Sequence, residues 1–303
     1  MFGRTMLWAS EKRPVERFIR NSGLTRSVVG RFVAGDELDN AIEVITSLNA
    51  RGMGGILDFL GEGVTDPAGA DSASVHYLTA IKRIDETGVD TSVSVKLTQL
   101  GLAFDKGSCI DHLRRLAAEA MAVGTAIEID MEQSAYAAET LDVYRVLQVD
   151  YPDLRVALQA YLRRTPVDLE MLAPLRPKVR LVKGAYAETE EAAHQSHRDI
   201  EAQYAFLTEW LFQRGRDPAI ATHNGRLLAH AKRTAAAAGL GKESFEIQML
   251  YGVRRELQQK LADEGYRVRV YVPYGSSWYP YLMRRLAERP ANLRFFLRAL
   301  VRD

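Results

Sequence analysis

Cysteine is nearly absent from this chain: Cys109 is alone among 303 residues. An internal disulfide and a cysteine metal cluster are therefore excluded. No apolar run approaches the roughly 20 residues that a bilayer-crossing helix needs. The first twelve residues lack the apolar core of a secretory signal. The expected location is the cytoplasm, either free or resting peripherally on the inner face of the cell membrane. An excess of one charge sign is also missing, because 40 Lys and Arg against 39 Asp and Glu leave +1. With no aromatic-basic motif either, nothing favours a nucleic-acid partner. There is no linker rich in Pro, Gly or Ser and no low-complexity stretch. Neither a GxGxxG nor a Walker loop is present, so a large cofactor would have to be held in another way.

What remains is an ordinary soluble composition, 47% hydrophobic and 26% charged, with enough apolar residues for a sizeable core. Strand-like segments fall at 55–62, 91–98, 126–132, 154–161, 179–186, 219–224, 245–251 and 267–274. Each ends in polar residues and is followed by a helical pattern, which implies parallel βαβ units. Eight of them without interruption predict an α/β protein, a (β/α)8 barrel of the TIM type. Helices are expected from about 72 to 86, at 165 onward behind a Thr-Pro start, and at 226–238. The longest is expected at about 188–213. Helices at 14–21 and 36–48 form an N-terminal extension (1–50) on a barrel spanning 51–303, a single domain overall. A last helix, 292–302, sets Arg294, Arg298 and Arg302 on one stripe and Phe295, Phe296 and Leu300 elsewhere. It either rests on anionic lipid or closes the barrel.

In such barrels the chemistry sits at the C-terminal ends of the strands. Those ends carry Glu62, Lys96 with Gln99, Asp130 with Glu132, Gln159 with Tyr161, and Lys183 with Tyr186. Thr222, His223, Asn224, Gln248, Tyr251 and Tyr271 complete the ring. Residues two apart share a face, so Glu128 lies with Asp130, Glu246 with Gln248, and Arg269 with Tyr271. A buried charge is costly unless paired, which predicts an internal network of acids with Lys96, Arg180 and Arg269. A purely structural barrel would fill those layers with branched aliphatics. Lys96 is either a ligand group or a surface lysine just past its strand. Lys183 could form a Schiff base, and Gly184 beside it marks a close approach of a ligand to the backbone. His194 and His197 have conceivable metal spacing on a solvated helix face, and no metal is expected. His223, between Thr and Asn in a strand-to-helix turn, suits a phosphate.

The stretch 271–288 gathers the rest. A strand is broken by Pro273 and Gly275, and a helix follows on which Tyr281, Arg284, Arg285 and Glu288 share one face. Paired guanidiniums beside phenol rings make a site for a small carboxylate with an apolar body. The bland alternative is a solvated basic helix.

Taken together, the stretches 60–62, 95–98, 129–132, 158–161, 180–186, 222–224, 246–252 and 271–288 resemble the proline dehydrogenase family, in its short monofunctional bacterial form. The resemblance runs from about 57 to 288. It implies FAD-dependent oxidation of L-proline to Δ1-pyrroline-5-carboxylate, with electrons passed to a membrane quinone. On matching positions, Arg284 and Arg285, helped by Lys96, would hold the carboxylate, with Glu288 on the same helix face. Tyr271, Tyr281 and Leu181 would pack around the ring, with Tyr186 nearby. Glu62 would pair with Arg284 as a gate, and Asp130 would hold the lysine in place. For FAD, Gln159 and Arg180 would face the isoalloxazine. Val182, Lys183, Gly184 and Ala185 would line the ribityl-pyrophosphate path, with Thr222, His223, Asn224, Gln248 and Tyr251 completing the cradle. The aldehyde dehydrogenase half of the bifunctional relatives is lacking, so a separate pyrroline-5-carboxylate dehydrogenase would act downstream. The 271–281 segment looks shorter than theirs, and Tyr271 favours proline over hydroxyproline. Two other readings stay open: a Schiff-base lyase or aldolase using Lys183 or Lys96, and a non-catalytic carboxylate-binding barrel.

Overall fold

The computed structural model describes residues 29–61 and 63–288, the last five of them by backbone only. Eight parallel strands form one closed barrel in chain order. They are β1 (Gly54–Phe59), β2 (Thr91–Val95), β3 (Ile127–Ile129), β4 (Arg155–Gln159), β5 (Lys178–Val182), β6 (Ala219–Ala221), β7 (Glu246–Leu250) and β8 (Arg267–Tyr274). β8 pairs back onto β1, from Gly54 opposite Arg269 to Phe59 opposite Tyr274, so no edge is left open. Helix α1 (Leu38–Asn49) precedes β1, and one helix follows each strand. These are α2 (Pro67–Thr87), α3 (Lys106–Ala122), α4 (Ala137–Gln148), α5 (Thr165–Leu172), α6 (His197–Arg214), α7 (Gly225–Ala237), α8 (Arg255–Asp263) and α9 (Trp278–Glu288).

Alternation along each strand sorts the side chains. Leu57, Val93, Val95, Ile129, Val156, Leu158, Val179, Leu181, Ile247 and Val270 are buried in one apolar layer between strands and helices. Each such side chain contributes about 1.5–3 kcal/mol on leaving water. The opposite set, Asp58, Ser92, Ser94, Glu128, Arg155, Gln159, Arg180, Glu246 and Gln248, is equally buried but polar, and it fills the barrel. The helix expected at 36–48 is α1. It presses Ile45 against β1 where Gly55 has no side chain, and a Cβ there would come within 2.7 Å of Ile45.

Element bounds differ from expectation for local reasons. The strands expected to reach Glu62, Thr98, Glu132, Tyr161, Tyr186 and Asn224 stop two to four residues earlier, because those ends serve loops and caps. Asn224, for example, leaves β6 to cap α7 by accepting from Arg226 N at 2.9 Å. Helix α2 starts at Pro67, ahead of the expected start, since Asp66 accepts from Gly69 N and proline takes the first turn. The helix after β5 begins at His197. The preceding residues form a loop tied to β4's end by the Leu162–Ala193 bridge, so α2, with 21 residues, is the longest helix among those described. The helices expected at 14–21 and 292–302 lie outside the described residues.

Candidate active site

The barrel interior is tiered. At the N-terminal end, Glu246 accepts from Arg155 Nη1 at 2.8 Å and from Arg269 Nε at 3.1 Å. Arg155 also reaches Asp217 at 2.9 Å, and Arg269 reaches Asp90 at 2.9 Å. One step up, Glu128 accepts from Ser92 Oγ at 2.8 Å and from Gln248 Nε2 at 3.1 Å. At the mouth stands a cluster of Asp58, Lys96, Asp130, Arg180 and Tyr271. Asp130 accepts from Ser94 at 2.8 Å, from Tyr271 at 2.8 Å and from Arg180, and Lys96 lies 3.2 Å from it. Lys96 donates to Asp58 as well. The Arg180 guanidinium sits 5.5 Å from the centre of the Tyr271 ring, within cation–π range.

This geometry fixes protonation states. Burial alone would raise the Asp130 pKa, but Lys96 and Arg180 overcome it and hold it down at about 2. Burial likewise opposes charge on Lys96, yet Asp58 and other neighbours keep its pKa well above the usual ammonium value. Burial dominates at Asp58, whose pKa is raised in spite of Lys96. Burial also pushes the Tyr271 phenol well above its ordinary value. The mouth therefore presents a fixed ammonium, a fixed guanidinium, a fixed carboxylate and a neutral phenol.

Lys96, Asp130 and Tyr271, expected at strand ends, come together here with Arg180, expected in the internal network. Gln159 borders them. Its Nε2 donates to Glu132 O at 2.7 Å, while its buried Oε1 has no partner. The buried Nε of Arg180 also makes no hydrogen bond. Glu132 is a loop latch, accepting from the Thr98 hydroxyl at 2.7 Å. At the end of β5, Val182 lies on Arg180's face and is half-buried, as are Lys183 and Tyr186 beyond it, while Ala185 is exposed. Gly184 has φ +117, and a Cβ there would enter the Tyr161 ring. Lys183 donates to Glu201 at 3.3 Å, and the same oxygen accepts from Asn224 Nδ2 at 2.6 Å. The Thr222 hydroxyl accepts from Asn224 N at 3.1 Å, and His223 Nε2 accepts from Leu250 N at 2.9 Å. Tyr251 carries Arg255 over its ring at 5.3 Å. Tyr281 packs with Leu60, Val253 and Leu282 in a second apolar cluster at the foot of α9.

Two expectations need correction. Leu181 does not face the mouth: one residue on from Arg180, it points outward and is fully buried between strands and helices. Gln248 is not at the rim, because the register sets it beside Arg269, one step below Tyr271, where it bonds Glu128 and Glu246. Glu62 and the side chains of Arg284, Arg285 and Glu288 lie outside the described residues, although the α9 backbone passes through 284–288. His194, considered with His197 for a metal, bonds Gln203 at 2.9 Å.

Asp58, Ser94, Arg155 and Glu201 were not foreseen as site groups. For Asp58 and Arg155 the signal was present, as a charge on the inward parity of an otherwise apolar strand. Nothing in the sequence pointed α6's Glu201 at β5 and β6. Gly184→Ala is expected to weaken binding of any ligand lying across β4 and β5 at least tenfold by displacing Tyr161, with little loss of helix signal. Parallel binding titrations and circular dichroism check this.

A family model described as proline dehydrogenase matches residues 41–298. The chain is 36% identical over 302 residues to proline dehydrogenase 1 of Bacillus subtilis strain 168, covering 100% of both. It is 36% identical over 307 residues to the proline dehydrogenase of Deinococcus radiodurans, covering 100% of this chain and 98% of that one. Among solved structures, proline utilization A from Bdellovibrio bacteriovorus, inactivated by N-propargylglycine, superposes with a TM-score of 0.82 at 27% identity. That match covers 87% of this chain and 33% of that much longer one. Among the described residues, no helix is long and apolar enough to cross a membrane.

Proposed function

Since the chain belongs to the proline dehydrogenase family, we propose that it oxidises L-proline to Δ1-pyrroline-5-carboxylate with FAD and passes the electrons to a membrane quinone. The observation that carries this reading is the mouth cluster, in which Lys96, Arg180, Asp130 and Tyr271 are held in fixed charge states beside unspent hydrogen-bonding capacity. The unbonded Gln159 Oε1 and Arg180 Nε offer one acceptor and one donor to a flat heterocycle. Gly184 keeps the adjacent backbone bare, and Lys183 and Asn224 supply donors further out. The residues present fit a flavin. Gln159, Arg180, Val182, Lys183, Gly184, Ala185, Thr222, His223, Asn224 and Tyr251 would hold it, with Gln248 acting from the tier below. When bound, a flavin supplies a two-electron acceptor for the hydride leaving the ring carbon beside nitrogen.

The residues of the chain do the rest. Lys96, with Arg284 and Arg285 from α9, holds the substrate carboxylate, and Tyr271 and Tyr281 flank the ring, with Tyr186 near. Glu62 and Arg284 close over it, with Glu288 on the same helix face. Asp130 fixes Lys96, Arg180 and Tyr271 in one geometry, so the reacting carbon is oriented before reaction. We take 1–50 as an extension on the 51–303 barrel. A peripheral membrane contact would bring quinone within reach, and a separate dehydrogenase would consume the product.

The substrate nitrogen must be unprotonated for the C=N bond to form as hydride departs. Asp130, Lys96 and Tyr271 keep their charge states between neutral and mildly alkaline pH, since Asp130 titrates at about 2 and Lys96 and Tyr271 titrate above their usual values. Proline oxidation should therefore rise above neutral pH as free amine accumulates, measured with an artificial acceptor at fixed total proline. A flat or falling profile contradicts this. Against a Schiff-base lyase, Lys96 is paired to two carboxylates and held as ammonium, which is not a nucleophile. The deciding test is the visible spectrum of the purified protein with FAD, before and after anaerobic L-proline. Bleaching of a bound yellow chromophore supports the proposal, and a chain that takes up no flavin overturns it.

A further inference from the structure

Between the mouth and the lower tier, Glu128 is 3% exposed and faces both. Its Oε2 lies 3.4 Å from Arg180 Nη1, and its Oε1 lies 3.9 Å from Arg155 Nη1. Ser92 and Gln248 donate to it. At the mouth, Lys96 and Arg180 are set against the carboxyl groups of Asp58 and Asp130. In the lower tier, Arg155 and Arg269 have Glu246, Asp217 and Asp90. Arg267 and Lys178 share Asp217 and Glu246 with them, so Glu128 is not an excess charge there; its carboxylate bridges the two tiers, and Arg180 is the mouth residue that it touches.

We propose that Glu128 is a positioning residue that acts through Arg180: it draws the guanidinium down into the barrel and lowers the positive potential offered to a group bound at the mouth. The inference rests on the flavin reading above. Reduction of a flavin adds negative charge, which a nearby cation stabilises and a nearby anion opposes. Glu128 therefore holds the flavin potential down, so that reduced flavin hands its electrons on more readily. Asp130 cannot substitute, because its oxygens are shared with Ser94, Tyr271 and Lys96, whereas the Glu128 carboxylate meets Arg180 from below.

The test is the two-electron midpoint potential of FAD in the full chain, parent against Glu128→Gln, which keeps the shape and removes the charge. The expected result is an upward shift equivalent to about tenfold in the reduction equilibrium, about 30 mV for two electrons, with KM for proline unchanged within twofold. Glu128→Asp, which keeps the charge, should return most of the shift. Should Glu128→Gln fail to fold, Ser92→Ala decides. It strips a neutral donor from Glu128 and leaves the charge, so the potential should fall by about twofold in equilibrium. In a flavin-loaded protein, a potential that is unmoved or moves the other way overturns the inference and leaves the functional reading standing. A parent chain that takes up no flavin overturns both.

Discussion

Asp130→Ala is expected to lower kcat/KM for proline by at least ~100-fold, the penalty for displacing reacting groups by about an ångström. The carboxylate is the common acceptor of Arg180, Tyr271 and Ser94 and the second partner of Lys96. Its removal leaves a buried guanidinium and a buried ammonium with only Asp58 and Glu128 to balance them. Breaking such a pair costs about 3–5 kcal/mol, within the reserve of a domain this size, so the variant should still fold. Steady-state kinetics beside circular dichroism check both halves. Kinetic constants within threefold of the parent would show that the cluster is only structural.

The second large effect is on stability. Glu246→Ala is expected to destabilise the fold by about 3–5 kcal/mol, because Arg155 and Arg269 would be left buried without their shared carboxylate. Against a total of about 5–15 kcal/mol, that should lower the melting temperature by roughly 10 °C. The same group predicts an acid limit. Burial would raise its pKa, but Arg155 and Arg269 override it and hold it at about 2, below the ordinary 4.5. A depressed carboxylate contributes stability that is present above about pH 4.5 and lost as pH falls toward 2, about 3 kcal/mol for this group. Asp130, also held at about 2, adds to the same window. The parent's melting temperature should therefore fall steeply between pH 4.5 and 2, and Glu246→Gln should flatten that fall. A scan showing parallel slopes would refute the assignment.

Much of this was legible in the chain because strand parity is a local property. Arg267–Tyr274 is a strand as expected, although its alternation ends at Val272 and Pro273, expected to break it, lies inside the strand. Glu128 with Asp130 and Arg269 with Tyr271 are inward pairs because residues two apart must share a face. The same rule would have placed Asp58 and Arg155 inside, and it places Leu181 outside, since Arg180 faces in. The motif-based placement of Leu181 at the ring failed against that constraint. Gln248 failed differently: its parity was right, but its height was not.

Height is what a single sequence withholds. Each strand carries its own polar ladder, and the stagger between neighbours decides which rungs meet. That stagger is set by closure of the barrel, through pairings such as Ser94 with Glu128 and Gln248 with Arg269. The sequence by itself determined eight βα units, an apolar outer face, a charged inner one and the family to which they belong. Only the closed barrel decided that Asp130 gathers Lys96, Arg180 and Tyr271 at the mouth while Glu246 gathers Arg155 and Arg269 beneath. Side-chain direction follows from the period of a strand, whereas contact between strands follows from how far one has slid past the next.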